Sequence, residues 1–105
     1  MPEPTSTLPS QLALSLEDFT RAIGEPTRWR ILAELSKGEP RMVIELARAV
    51  GRTETVVSKH LAVLRKTRVV EIGRGRMYHI LAPYRVESGV LDFGYGRLRM
   101  AGPQR

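Results

Sequence analysis

One glycine limits what this chain can become. Gly51 separates two stretches that each carry a helical period. Before it, Val43, Leu46, Ala47 and Val50 fall at i, i+3, i+4 and i+7, a spacing that puts four apolar side chains on one helix face. Glycine then ends the helix, because it enters the left-handed C′ conformation cheaply. Thr53 follows as an N-cap, its hydroxyl placed to accept from an orphan amide. A second helix then buries Val57, Leu61 and Leu64. Its opposite face carries Thr55, Ser58, Lys59, Ala62 and Lys66, a small, polar and basic surface. Two helices about so short a turn, the second presenting such a face, make a helix-turn-helix pattern whose second helix suits a DNA major groove.

Two amphipathic helices around a glycine also occur in domains that bind no nucleic acid, so the flanks must discriminate. The 105 residues suit one domain with one modest core, and the formal net charge is +6. Between Arg52 and Arg76 seven lysines and arginines face only Glu54 and Glu71, a net of +5 within a quarter of the chain. Charge so concentrated points to a polyanion, with nucleic acid before an anionic membrane. Cysteine is absent, which removes disulfides, thiolate metal sites and cysteine nucleophiles together. No apolar run approaches membrane-spanning length. The opening MPEPTSTLPSQ has an acid, prolines and no basic region, so it does not read as a secretory signal, and the expected location is the cytoplasm.

Taken in order, residues 1–14 are rich in Pro, Ser and Thr and are expected as a flexible arm. Ser15 with Asp18 begins a capping box for a helix from Leu16 to Ile23, ended by Gly24. Pro26 fits position N1 of the next helix, predicted over Thr27 to Ser36 with Ile31, Leu32 and Leu35 inward. Trp29 is expected in core or dimer-interface packing. After Lys66 the period changes. Val69 to Ile72 and Met77 to Leu81 read as strands around Gly73-Arg74-Gly75-Arg76, a hairpin with two arginines at its tip. A lone hairpin is marginal in water, so it must pack on the helices. From Pro83 the pattern weakens. Leu91, Phe93 and Tyr95 alternate as in an extended segment, Val90 and Leu91 also fit a short helix, and the glycines oppose a long one. The expected division is a flexible arm over 1–14, a winged helix-turn-helix domain over 15–82, and a C-terminal extension over 83–105 available for dimer contact. The fold class expected is mainly α with a small antiparallel β-hairpin.

The order of helix, helix, helix-turn-helix and hairpin is the winged-helix order, and the wording within it resembles a known family. GEPTRWRILAEL (24–35) is similar to the opening D-P-T-R-x-R-I-L-x-x-L of the ArsR-type, arsenic-repressor-like, bacterial transcription regulators. ELARAVG followed by TETVVSKHLAVLRK resembles their helix-turn-helix, and GRGRMYHIL resembles their wing. The likeness runs from Leu16 to Leu81. It implies a homodimeric repressor on a near-palindromic operator of double-stranded DNA. The recognition helix would span about residues 54–66 and the wing about 72–77. The family's base-facing positions fall on Glu54, Thr55, Ser58 and Lys59, its histidine on His60, and its wing arginines on Arg74 and Arg76.

The departures bear on sensing. Many relatives bind metal through a Cys-x-Cys where this chain has Met42 and Ile44, and others use a C-terminal helix with Asp and His that is not matched here. A metal effector is therefore not carried over, and no cofactor is expected. Arg52 stands where an apolar residue is usual, Glu54 where a glutamine or small polar residue is usual, and Arg68 where glycine usually ends the helix. A non-glycine residue in the left-handed conformation at 68 would cost about 1 kcal/mol. The wing is one residue shorter than usual.

The candidate DNA-binding set is thus Arg52, Glu54, Thr55, Ser58, Lys59, His60, Lys66, Arg74 and Arg76. Thr55 and Ser58 have short hydroxyls that reach a phosphate or a base edge, and Lys59 suits a phosphate. Glu54 repels phosphate. It serves either as an acceptor for cytosine N4 or as a charge at a helix N-terminus. His60 fits a structural or phosphate-bonding role; with His79 on a separate strand it makes no metal constellation. Arg74 and Arg76 suit the minor groove or the backbone. No nucleophile, paired carboxylates or phosphate-cradling loop is visible, so an enzyme is not expected. A winged-helix module for protein or RNA is the competing reading, and the +5 segment disfavours it.

Overall fold

The computed structural model describes residues 6–100. Four helices, α1 (Leu16–Ile23), α2 (Pro26–Leu35), α3 (Val43–Val50) and α4 (Glu54–Lys66), precede a hairpin of β1 (Val70–Ile72) and β2 (Tyr78–Ile80). A second antiparallel sheet follows, in the order β3 (Arg85–Glu87), β4 (Val90–Asp92), β5 (Arg97–Arg99). The first six elements form a winged helix-turn-helix.

The helix ends follow local chemistry. Ser15 Oγ accepts from the Asp18 amide at 3.1 Å at the start of α1. Glu25 caps α2, accepting from the Arg28 amide at 2.8 Å, and Pro26 takes the first turn. Met42 cannot cap α3 as a serine would; its own amide instead donates to Glu45 Oε1 at 2.8 Å. Gly51 stands at φ +71°, and the amides of Gly51 and Arg52 both reach the Ala47 carbonyl, at 3.0 and 3.1 Å. Thr53 Oγ1 then accepts from Val56 at 3.2 Å and opens α4.

Ile31, Leu32 and Leu35 of α2 meet Leu46 of α3, Val57, Leu61 and Leu64 of α4, and Val69, Val70 and Ile80 of the hairpin in one core. Trp29 is half-buried against it. In the hairpin Val70 faces Ile80, Glu71 faces His79 and Ile72 faces Tyr78. Arg41 bridges to Tyr78 through two backbone bonds, 2.9 and 2.7 Å, which ties the hairpin to the loop before α3. The lone hairpin is thereby anchored at its outer strand as well as through its buried face.

The C-terminal sheet is a structure that the fading sequence signal does not specify. Val90 and Leu91 form a strand and not a helix. Gly89, Gly94 and Gly96 at φ +81°, +111° and +102° turn the chain around it. Leu91 and Phe93 enter the common core. Residues 6–14, the described part of the expected arm, are bonded to this sheet. The Leu14 amide donates to the Phe93 carbonyl at 2.9 Å, Tyr95 Oη donates to the Leu14 carbonyl at 2.9 Å, and Tyr84 Oη donates to the Leu12 carbonyl at 3.0 Å. Burial raises the pKa of the Tyr84 hydroxyl, which keeps it a donor. The buried Asp92 carboxylate accepts from Ser6 Oγ at 2.8 Å and from the Gly94 amide at 2.9 Å. Tyr95 stacks on Phe19 of α1 with ring centroids 4.3 Å apart, so the extension packs on the first helix. Among the described residues no helix is long and apolar enough to cross a membrane.

Candidate nucleic-acid interface

The exposed face of α4 is the one the helical period selects. Val57, Leu61 and Leu64 are buried, while Glu54, Thr55, Ser58, Lys59, Ala62 and Lys66 are exposed. Arg52 is exposed in the turn that leads into the helix. Among the described residues, none of Arg52, Lys59, Lys66, Arg74 and Arg76 is ion-paired with a carboxylate, whereas Arg21, Lys37 and Arg41 pair with Asp18, Glu34 and Glu39 elsewhere. A cluster of unneutralised cations on a helix and a hairpin tip attracts an anion over the range of the screening length. Glu54 sits in the first turn of α4, where its charge complements the helix dipole.

The wing tip is Arg74-Gly75-Arg76. It is closed by the Gly73 amide on the Met77 carbonyl at 2.8 Å and by the Arg76 amide on the Gly73 carbonyl at 3.1 Å. Gly75 at φ +72° and Arg76 at φ +59° make the reversal, and both arginine side chains are exposed. Arg65 and Arg68 line a groove against Val70 and Glu71, where the end of α4 meets the root of the wing.

His60 stands apart from the rest of the expected set. Its side chain is only 19% exposed and is turned toward the start of α2. Arg28 Nη1 lies 3.1 Å from His60 Nδ1, and Glu25 Oε1 lies 3.9 Å away. Burial opposes the charge on Glu25, but the Arg28 and Thr27 amides, the Arg28 guanidinium and, once it is protonated, His60 outweigh it and hold the carboxyl below its ordinary pKa. The sequence does not single out Arg28 for this part; a contact between residues 32 positions apart leaves no mark in helical periodicity. Val56 is the other residue that periodicity passes over. It is apolar yet 36% exposed, in the first turn of α4. Met42 and Ile44 are exposed. Among the described residues no three His, Cys, Asp or Glu side chains converge as a metal site would require.

A family model described as HVO_A0114 matches residues 25–88, from the N-cap of α2 through the second sheet's first strand. The chain belongs to the HVO_A0114 family. The matched span contains the whole helix-turn-helix and the wing, so the family's shared part is the part that carries the basic surface. The chain is also similar to NmtR, an HTH-type transcriptional regulator of Mycobacterium tuberculosis. The two are 35% identical over 80 residues, 73% of this chain, and the aligned part spans 66% of the relative's length.

Proposed function

We propose that this protein is a sequence-specific double-stranded-DNA-binding transcription regulator of ArsR-like type, acting as a homodimeric repressor on a near-palindromic operator. The single observation that carries the reading is the exposed face of α4, polar and basic through Thr55, Ser58, Lys59 and Lys66 with one acid, Glu54, at its tip, mounted on a helix-turn-helix. The similarity to a regulator named as HTH-type supports it. Residues 15–82 form the DNA-binding unit. Thr55 and Ser58 meet base edges, and Arg52, Lys59 and Lys66 meet phosphates. Arg74 and Arg76 reach the minor groove or the backbone beside the site. Glu54 discourages a closer phosphate approach at the helix tip, and His60 acts through Arg28 to set the angle of α4. No catalytic step and no cofactor is involved, and the protein works in the cytoplasm.

One recognition helix contacts few base pairs, so specificity calls for two, on half-sites about 34 Å apart. The partner copy meets the apolar surface left at Leu12, Leu16 and Tyr95, where α1 adjoins the C-terminal extension. The test is a gel shift against random and selected duplexes at two salt concentrations, with the mass of the complex taken by light scattering. Binding that weakens steeply with salt, by two protomers per duplex, is expected. A protein that retards no duplex at low salt, or that binds a structured RNA more tightly, overturns the reading.

A further inference from the structure

We infer that Val56 reads the C5-methyl group of a thymine, making it a specificity-determining residue that the polar face of α4 does not include. The inference rests on the DNA-binding reading above and deepens it. α4 begins at Glu54, so Val56 is its third residue, and its amide is fixed by the Thr53 cap at 3.2 Å. A recognition helix of this kind meets base edges with its N-terminal residues, and helical side chains tilt toward the N-terminus, so the first turn is the part that reaches deepest. That turn offers three different chemistries. Glu54 only accepts, Thr55 both donates and accepts, and Val56 does neither.

The major-groove edges of the four base pairs present hydrogen-bonding groups and one apolar group, the thymine methyl. A branched aliphatic side chain therefore has one partner there. Val56 is held where it can find one: it is 36% exposed, and it borders an open groove lined by Ile44, Ala47 and Arg48 of α3 and by Arg52, Thr53 and Glu54 at the start of α4, and is not sealed in the core. Its β-branch leaves one dominant side-chain rotamer in a helix, so the two methyls are presented in a fixed direction.

The experiment uses the full chain and a duplex that the protein itself selects from a random pool. Each thymine in one half-site is replaced in turn by deoxyuridine, which removes the methyl and leaves every hydrogen-bonding group in place. Wild type should lose about fourfold in affinity at one position, the worth of one buried methyl group. Val56→Ala should bind the thymine duplex more weakly and show no loss on the same replacement. Alanine is a good helix former, and the thermal melt of the variant should match wild type, which separates lost contact from lost fold. A wild type indifferent to deoxyuridine at every position overturns the inference while leaving the DNA-binding reading intact. So does a Val56→Ala protein that remains as sensitive as wild type, since the methyl would then be read by another residue. A protein that selects no duplex at all fails the underlying reading, and the inference goes with it.

Discussion

Arg28 Nη1 and His60 Nδ1 lie 3.1 Å apart, and this contact joins the start of α2 to the middle of α4. A guanidinium only donates, so the ring nitrogen accepts and His60 carries its proton on Nε2 when neutral. Arg28 also donates through Nε to the Arg21 carbonyl at 2.7 Å, near the end of α1. One side chain thus ties three helices around the element that presents the basic face. Arg28→Ala should therefore cost about 0.5–1.5 kcal/mol in urea unfolding, because it removes the donor to a helix-end carbonyl and to a ring nitrogen that water can reach only in part. It should also weaken discrimination between selected and random DNA more than it changes the salt slope, since no phosphate contact is lost. A variant with wild-type stability would reduce the triple contact to a surface decoration.

The Glu25 carboxyl gives a pH signature. Its folded pKa lies below the unfolded value, because the amide bonds and cationic neighbours outweigh burial. The stabilisation is then present above the ordinary carboxylate range and lost as the pH falls through the folded pKa. Glu25→Ala should lower the melting temperature at pH 7, and the gap to wild type should close progressively toward pH 3. The side chain is 35% exposed, so the effect is a screened one, small beside the core terms. A gap that is constant with pH would mean that the cap acts by shape and not by charge.

Arg68 closes α4 in the left-handed conformation, at φ +65°. The Arg68 amide reaches the Arg65 carbonyl at 3.0 Å and the Val69 amide reaches the Leu64 carbonyl at 3.0 Å, the paired bonds of a Schellman end. The sequence places an arginine where this motif favours glycine, and the backbone adopts the strained form nonetheless. Arg68→Gly should stabilise the fold by about 0.5–1 kcal/mol, the relief of strain offset by the freedom glycine adds to the unfolded chain. Denaturant titration measures it. A destabilised variant would show that the arginine side chain, in the groove beside Glu71, contributes more than the strain costs.

What could be read from the residues alone divides along the range of the forces involved. Gly51, Thr53, Ser15 and Pro26 act within one turn of chain, and each stands at the helix boundary that its chemistry predicts. The exposed face of α4 was legible for the same reason, since the spacing of Val57, Leu61 and Leu64 fixes what lies opposite. The sheet over residues 85–99 was not, because its strands are only three residues long and, although they pair with near neighbours, what covers them comes from the other end of the chain. Asp92 shows why: alternation would put it in solvent, but Ser6 and the Thr7 amide close over it from the other end of the chain. His60 falls three residues after Val57, which explains its half-buried place on the flank of the helix; its partner Arg28 lies beyond any local pattern.

The final prediction separates the recognition helix from the wing. If Lys59 and Arg74 meet phosphates, alanine at either position should weaken binding to all sequences alike and flatten the plot of log K against log salt. The expected change is about one unit per phosphate lost, so about two for a dimer with each contact made twice. Thr55 and Ser58 carry no charge, and Thr55→Ala or Ser58→Ala should leave the slope as it is. Contact with a base edge would instead narrow the gap between selected and random DNA by about 1–3 kcal/mol for each pair touched. Glu54→Gln tests the acid from the other side: removing a charge that repels phosphate should tighten binding to random DNA, while a loss confined to one sequence position would mark it as an acceptor for cytosine N4. Titrating these variants against both duplexes at several salt concentrations resolves the roles. Full discrimination in Ser58→Ala and Thr55→Ala would remove those hydroxyls from base readout, and an unaltered slope in Arg74→Ala would leave the wing as a structural hairpin that braces α4 without touching DNA.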